Sequence, residues 1–464
     1  MAVAVPQYDR WFEERQIEEL SQELNDPPEV RRRRMSSFQS FRELPMESNP
    51  LYRKYAYFGG VELGGLRPGK SGLPVTAPPL LPHTIRVLHD SSGTRVEVPE
   101  ELREAGVQVS SVPDLWQHEE AAVALLDPAA ATPDKLSSLA RALLNRGVSV
   151  DVPARCPVAV RLQDISVLSQ PAEVISVRRR LRVGAESRLL ASEEVYSTAG
   201  AGAAAQRLYG SSVQLELADG ASAHYLTVHA PDLRAVSLYE RTARVDRTGR
   251  LAWIWAGFGG FRTRLKMLTV LPGQGSEVDD LQTFYGAGQQ AYDSSVQITH
   301  QGTDTRGHSI TRGLFQNDAR GMSRGLVRIE KDARKTVSYL SEHAMLLSRG
   351  ARSDTVPVLE ILCRDVKATH SSSVAPVDPE KVFYLESRGM RRPDAIRMIG
   401  EGFLSYVLER APIAGLRDHL YPALAARWEG HDIVWGPDHF PALPALAVNP
   451  TAGSGEWRFD AKLR

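Results

Sequence analysis

Cysteine is nearly missing. Cys156 and Cys363 are the two thiols in 464 residues, too few for a disulfide framework. They are also too few for a thiolate-held iron–sulfur cluster, which in one chain takes four, so any such cluster would need other ligands or a second chain. Net charge is missing as well. The 56 Lys and Arg stand against 56 Asp and Glu, and this balance points away from nucleic acid or an anionic membrane as a partner. The one basic run, Arg31–Arg34, reads as a solvated helix face. No apolar run is long enough to cross a bilayer. The N-terminus, MAVAVPQYDRWFEERQIEEL, has neither the charged lead nor the apolar centre of a signal peptide, which makes the cytoplasm the expected location. Hydrolytic triads, zinc-finger spacings and H-E-x-x-H are absent too. Carboxylate pairs such as Asp279 and Asp280 are too common in this chain to mark a site, and no catalytic residue is expected.

What is present falls into regions. Residues 1–147 mix helices with Pro-rich loops. Trp11, Ile17, Leu20 and Leu24 approximate one helical face, and PEVRRRRMSSFQSFRE forms a second helix stopped by Pro45. TPDKLSSLARALLNRG forms a third, with Thr132 as N-cap, Pro133 at the first position and Gly147 as stop. Over residues 148–377 helical periodicity nearly vanishes, and short β-type runs such as SVQLELADG, RLAWIWAG and TVPVLEILC alternate with Gly/Asp turns. So long a series of short strands makes a sandwich, a barrel or a solenoid. Recurring corners favour a β-solenoid, in which each coil stacks on the last: DGAS at Asp219, NDARG at Asn317, KDARK at Lys331, RGARS at Arg349. Residues 378–430 return to helix. Asp378 is an N-cap, Gly389 a stop, and Ile396, Ile399, Phe403 and Val407 form an apolar stripe. Residues 431–464 are Pro/Gly-rich and read as extended or disordered.

GGLRPGKS, Gly64–Ser71, matches the phosphate-cradling pattern G-x-x-x-x-G-K-[ST]. That chemistry needs a helix directly after the loop, its positive end on the phosphates. Here Gly72, Pro74, Pro78, Pro79 and Pro82 follow, and a helix interior excludes Pro. The match at Lys70 is therefore read as chance, and no nucleotide site is expected.

The least generic stretch is PVLEILCRDVKATHSSSVAPVDPEKVFYLESRGM. It reads as a strand ending near Val366, a polar loop exposing His370, and a helix from Asp378. His300, His308 and His343 read as hydrogen-bonded structural residues instead. The stretch resembles the C-terminal signature of the SufB/SufD family of iron–sulfur cluster assembly scaffolds. The matching residues are Pro357, Leu359, Glu360, Ile361, Asp365, Val366, His370, Val374, Phe383, Tyr384, Leu385, Ser387, Arg388 and Gly389. Upstream, HQGTDTRGHSITRGLFQNDARGMSRGLVRIEKDA, ARALLNRGVSVDVP and SFQSFRELPMESN resemble other stretches of the family, and the likeness spans roughly residues 36–411. The family's Cys two residues before the histidine is Ala368 here, and the residue after it is Ser371, a context that is similar to SufD more than to SufB.

The resemblance implies a right-handed parallel β-helix flanked by helical regions. It also implies a non-catalytic scaffold subunit with a role in iron acquisition, paired with a SufB-like subunit and a SufC-like ABC ATPase, and forming a possible homodimer when isolated. No cofactor would be held stably by the lone chain, only transient iron or a cluster within the complex. His370 would touch the metal at the shared interface, with Cys363 a weaker candidate and more readily a small buried residue. Phe383, Tyr384, Arg388, Ile396, Ile399 and Phe403 would contact the ATPase. Other readings remain: a SufB-type paralogue, or a β-solenoid lyase or hydrolase of polysaccharide, for which a signal peptide would be expected.

Overall fold

The computed structural model describes residues 11–46, 58–68, 74–76, 80, 82–117, 134–198, 205–413 and 416–435. Two helices come first, α1 (Glu14–Glu23) and α2 (Pro28–Glu43). Then follow β1 (Arg67–Pro68), the hairpin β2 (Thr84–Asp90) and β3 (Gly93–Glu97), α3 (Glu100–Glu104), β4 (Gln108–Ser111), α4 (Val112–Leu115) and α5 (Lys135–Ala142). A run of strands follows with no helix among the described residues: β5 (Arg146–Val152), β6 (Val160–Leu168), β7 (Glu173–Val183), β8 (Arg188–Thr198), β9 (Arg207–Leu217), β10 (Ser222–Ala230), β11 (Ala235–Val245), β12 (Arg250–Gly257), β13 (Arg262–Leu271), β14 (Glu277–Gly286), β15 (Ala291–His300), β16 (Arg306–Phe315), β17 (Arg320–Ile329), β18 (Thr336–Leu346), β19 (Arg352–Ile361) and β20 (Val366–Pro376). The chain closes with α6 (Pro379–Ser387), α7 (Arg392–Leu408), α8 (Leu416–Trp428) and β21 (Val434–Trp435).

Successive strands from β5 to β20 alternate between two parallel sheets, odd strands in one and even strands in the other. The chain therefore winds as a β-solenoid with two strands per coil. Over β7–β12 both faces of each sheet are covered, whereas β13, β15 and β17 alternate buried and half-buried residues. Inward side chains from the two sheets meet in a lumen core that runs from Val148 and Leu162 through Tyr225 and Trp253 to Phe284 and Phe315. The outer face of the even sheet packs Leu226, Ile254, Leu281 and Ile310 against Leu404, Val407 and Leu420 of α7 and α8. The outer face of the odd sheet packs Val174, Leu208 and Leu238 against Leu136 and Leu139 of α5 and Phe38 and Phe41 of α2. Burial on two faces gives these strands their apolar content without helical periodicity.

One corner of each coil is built alike. Arg155, Glu186, Gly220, Thr248, Gly275, Asp304 and Lys335 all adopt positive φ, between 53° and 68°. The N–H of each donates to the corner carbonyl of the next coil: Ala185, Asp219, Arg247, Gln274, Thr303, Arg334 and Asp365 in turn. The result is a ladder of left-handed turns along the solenoid. Ala221, Ala319, Ala333 and Ala351 from the four corners read in sequence are all buried, as small residues at stacked corners must be.

Two sequence expectations need correction at the N-terminal side. Arg34 is not solvated: it is fully buried, paired with Asp26 at 2.6 Å, and its Nη1 donates to the carbonyls of Ala142 and Leu144 beyond the last turn of α5. Nearby, Lys135 Nζ donates to the carbonyls of Phe41 and Leu44 at the end of α2. These reciprocal cappings satisfy orphan carbonyls of both helices. Helix α5 is capped by Asp134, which accepts from the Ser137 N–H, and ends at Ala142 because Arg146 and Gly147 already belong to β5. Thr132, Pro133 and the tail beyond Trp435 lie outside the described residues.

Candidate functional site

His370 stands in a strand, not in the polar loop that its serines suggest. Strand β20 runs through Val366–Pro376 and pairs in parallel with β18, His370 beside Leu340. The serines fit a strand because the outer face of β18 carries hydrogen-bonding partners for them. Tyr339 Oη lies 3.0 Å from Ser371 Oγ, and His343 meets both Ser371 and Ser373. Since side chains alternate along a strand, Ala368, His370, Ser372 and Val374 share the opposite face, the one that Leu340 turns into the lumen. His370 is nevertheless exposed, because β20 ends the even sheet and no further coil covers it.

Beneath His370 two inward rows run back along the even sheet. Register places Asp280, Ser309, Leu340 and His370 in one row and Gln282, Thr311, Glu342 and Ser372 in the next. Gln282 Nε2 donates to both oxygens of Asp280 at 2.9 Å, and Ser309 Oγ donates at 2.7 Å. Ser323 of β17 reaches across the lumen to Glu342 Oε1. Burial pushes Asp280 up to about 6. Burial likewise pushes Glu342 up to about 7, with Asp280 adding repulsion and Ser323 pulling back. Sequence reading left Asp280 unranked and passed over Glu342. Period-2 alternation around Leu340 was the available signal.

Ala368, in the family's cysteine position, packs with Cys363, Leu340, Val327, Ile329 and Ala333 in a small apolar cluster that closes the last coil. Cys363 is buried there, which fits a packing residue better than a presented ligand. Around this end apolar side chains reach solvent: Val358, Ile361, Leu362 and Val374. They flank strands β19 and β20, the last strands of their sheets, whose outer edges carry no partner strand among the described residues.

The helical residues expected to meet a partner divide into two groups. Phe383 and Tyr384 on α6 are exposed at 71% and 57%, and the Arg388 guanidinium lies 5.2 Å from the Tyr384 ring centre. Met398 of α7, which the stripe did not include, is exposed at 51%. Ile396, Ile399 and Phe403 are half-buried, and Arg312 of β16 stacks over Phe403 at 5.0 Å. The buried face of α7 is instead Ala395, Gly400, Leu404, Val407 and Leu408. Gly400 sets this rotation: a Cβ there would lie 3.0 Å from Leu314 and 3.2 Å from Trp428, so the helix crosses the even sheet at its glycine.

Three other histidines are hydrogen-bonded within the fold. His300 is held by Thr305 and Ser338, with burial lowering it to about 3, and His308 pairs with Asp279 at 3.0 Å. His343 bridges the two serines already described. Lys70 lies outside the described residues; Pro74–Thr76, shortly after it, are not helical.

Residues 168–403 match the model of a family described as SUF system FeS cluster assembly, SufBD core domain. The chain is similar to the iron–sulfur cluster assembly protein SufD of Bacillus subtilis, with 26% identity over 342 residues that cover 73% of this chain and 77% of that one. It is also similar to a SufBD family protein of Mycobacterium leprae, 25% identical over 44% of this chain and 24% of the relative. A third relative, a SufBD family protein of Staphylococcus epidermidis, is 24% identical over 47% of this chain and 46% of its own length.

Proposed function

The chain belongs to the SufBD core-domain family of SUF-system FeS cluster assembly, and from that membership we propose that it works as a SufD-type scaffold subunit without catalysis of its own. The observation that carries this reading is the open last coil. Among the described residues it offers two unpaired strand edges with Val358, Ile361 and Val374 on those strands, and it leaves His370 exposed beside those edges. An unpaired parallel edge is a template for a further strand from another chain. The expected occupant is a SufB-like subunit, which would supply the thiolates that this chain lacks. The same edge would serve a homodimer of the isolated chain. His370 contributes its imidazole to iron or the nascent cluster at that junction, a role His fills in some clusters. Phe383, Tyr384 and Met398, with Arg388, form the surface for a SufC-like ATPase, so the ATP of the system belongs to the partner. The chain acts in the cytoplasm and takes part in iron acquisition.

Co-expression with a SufB-like and a SufC-like subunit tests this. The purified complex is expected to contain all three chains. His370→Ala should keep the complex and its ATPase activity while lowering iron content or cluster yield. Unchanged iron and cluster yield in an intact complex would make His370 structural.

A further inference from the structure

Among the described residues β20 has a strand neighbour on one side alone, yet its outer face carries a second fastening. His343 Nδ1 lies 2.5 Å from the Oγ of Ser373, its register partner, and His343 Nε2 lies 3.1 Å from Ser371 Oγ. A neutral imidazole donates from one ring nitrogen and accepts at the other, so two hydroxyls spaced i, i+2 on one strand face occupy both. Burial lowers His343 to about 4, with Arg312 adding repulsion, which keeps the ring neutral near pH 7. Tyr339 Oη and Ser341 Oγ lie 3.0 Å and 3.4 Å from Ser371 Oγ. Side chains of β18 thus hold β20 on the face turned away from His370.

The fastening does not end at β18. Arg312 of β16 is the register neighbour of His343. Its guanidinium lies 5.0 Å from the Phe403 ring centre and 4.6 Å from that of Tyr406, both on α7. Its Nε is buried with no hydrogen-bond partner among the described residues. Burial lowers Arg312, while Tyr406 and Tyr339 pull back, so aromatic side chains rather than a carboxylate hold this cation. A row of contacts therefore runs from α7 through Arg312 and His343 to Ser371 and Ser373. His370 stands next to Ser371 on the opposite face of the same strand.

We propose that His343 is a positioning residue that holds β20, and His370 with it, and that Arg312 ties this clamp to α7, so that the Phe403 face of α7 and the strand bearing His370 are energetically coupled. In the scaffold this coupling joins the ATPase-facing helix to the metal-facing strand. That use rests on the function proposed above, whereas the coupling itself stands on the contacts within one chain.

Amide hydrogen exchange of β20 in the isolated full chain tests this. His343→Phe keeps a ring and removes both hydrogen bonds, and β20 should then exchange about fivefold faster or more. Ser371→Ala with Ser373→Ala, on the exposed strand itself, should do the same, and adding His343→Phe to that pair should bring no further gain. His343→Gln, which keeps a donor and an acceptor, should restore part of the protection. The ring resonance of His370, assigned by its loss in His370→Ala, should shift in His343→Phe and return toward its native position in His343→Gln. Phe403→Leu keeps an apolar side chain on α7 and removes the ring under Arg312. It should speed β20 exchange about twofold to fivefold in the native chain and leave it unchanged when Arg312 is already Met. Unchanged β20 exchange in both His343→Phe and the serine pair overturns the clamp. Additive effects of Phe403→Leu and Arg312→Met overturn the coupling to α7, because packing alone would add. Either failure leaves the scaffold reading standing. Failure to capture a SufC-like ATPase would instead sink the proposed contact surface and leave these exchange rates untouched.

Discussion

A carboxyl buried without a cation holds its proton. Glu342, pushed up to about 7 by burial, is neutral in the folded chain over a range where the unfolded chain, near 4.5, has already ionised. The stability tied to this group is therefore present at low pH and is lost as pH rises through the folded value. In chelated buffer, urea unfolding at pH 5 and pH 8 should show the native chain losing roughly 2–3 kcal/mol relative to Glu342→Gln. A difference that does not change with pH would mean that Glu342 is solvated. Asp164 behaves oppositely: burial alone would raise it, but Arg179 and His89 hold it well below the usual carboxylate range. None of this was legible from single residues. Arg179 meets Asp164 and Glu193 from another sheet, and Glu342 sits in an unremarkable YLSEHAMLL, so which way each points follows only once the register is known.

At the level of elements the stacked corner decides how much the sequence reveals. Gly occurs at two of the seven left-handed positions, Gly220 and Gly275; elsewhere Arg, Glu, Thr, Asp and Lys bear the positive φ. The space at Gly220 is not the constraint, since an added Cβ would meet Glu186 no closer than 3.5 Å. Conformation is. Gly220→Val should cost about 1–2 kcal/mol, whereas Thr248→Gly should cost little or nothing, because it relieves a β-branched residue at φ 53°. Thermal unfolding of the two variants checks this, and an equal loss in both would show that the corner side chains matter more than backbone strain. Two of the seven corners, at Gly220 and Lys335, were visible in sequence as small-Ala turns, but the coil period was not. Val236 pairs with Arg262, 26 residues on, while Val174 pairs with Leu208, 34 residues on, so no fixed repeat survives. Helix α7 was visible as a helix, and of its stripe Val407 is buried while Ile396, Ile399 and Phe403 are half-buried. A count of apolar side chains does not find the contact made where a side chain is missing, at Gly400.

Across the whole molecule the two ends of the solenoid differ. At the N-terminal end the even sheet finishes in the antiparallel hairpin β2–β3, and the odd sheet finishes in the short antiparallel β4 on β5. Short antiparallel edges with charges such as Arg95 and Glu97 discourage further pairing. At the C-terminal end β19 and β20 are ten and eleven residues long, parallel, and flanked by exposed Val358, Ile361 and Val374. In a solenoid each coil is stabilised by its neighbours, so a coil with one neighbour opens more readily than one with two. Amide hydrogen exchange on the dilute isolated chain should therefore grade along the axis, with β9–β13 slowest and β19–β20 fastest. If this end is an assembly face, protection of β19 and β20 should rise with protein concentration as copies pair, and rise further in complex with a SufB-like subunit, while β9–β13 stay unchanged. The last coil is the right place to look because every other strand from β5 to β18 already has hydrogen-bonded neighbours on both sides and cannot gain. Equal protection of β19–β20 and β9–β13 in the dilute chain, or no gain on adding the partner, would move the assembly face away from the open coil and leave His370 without a shared site.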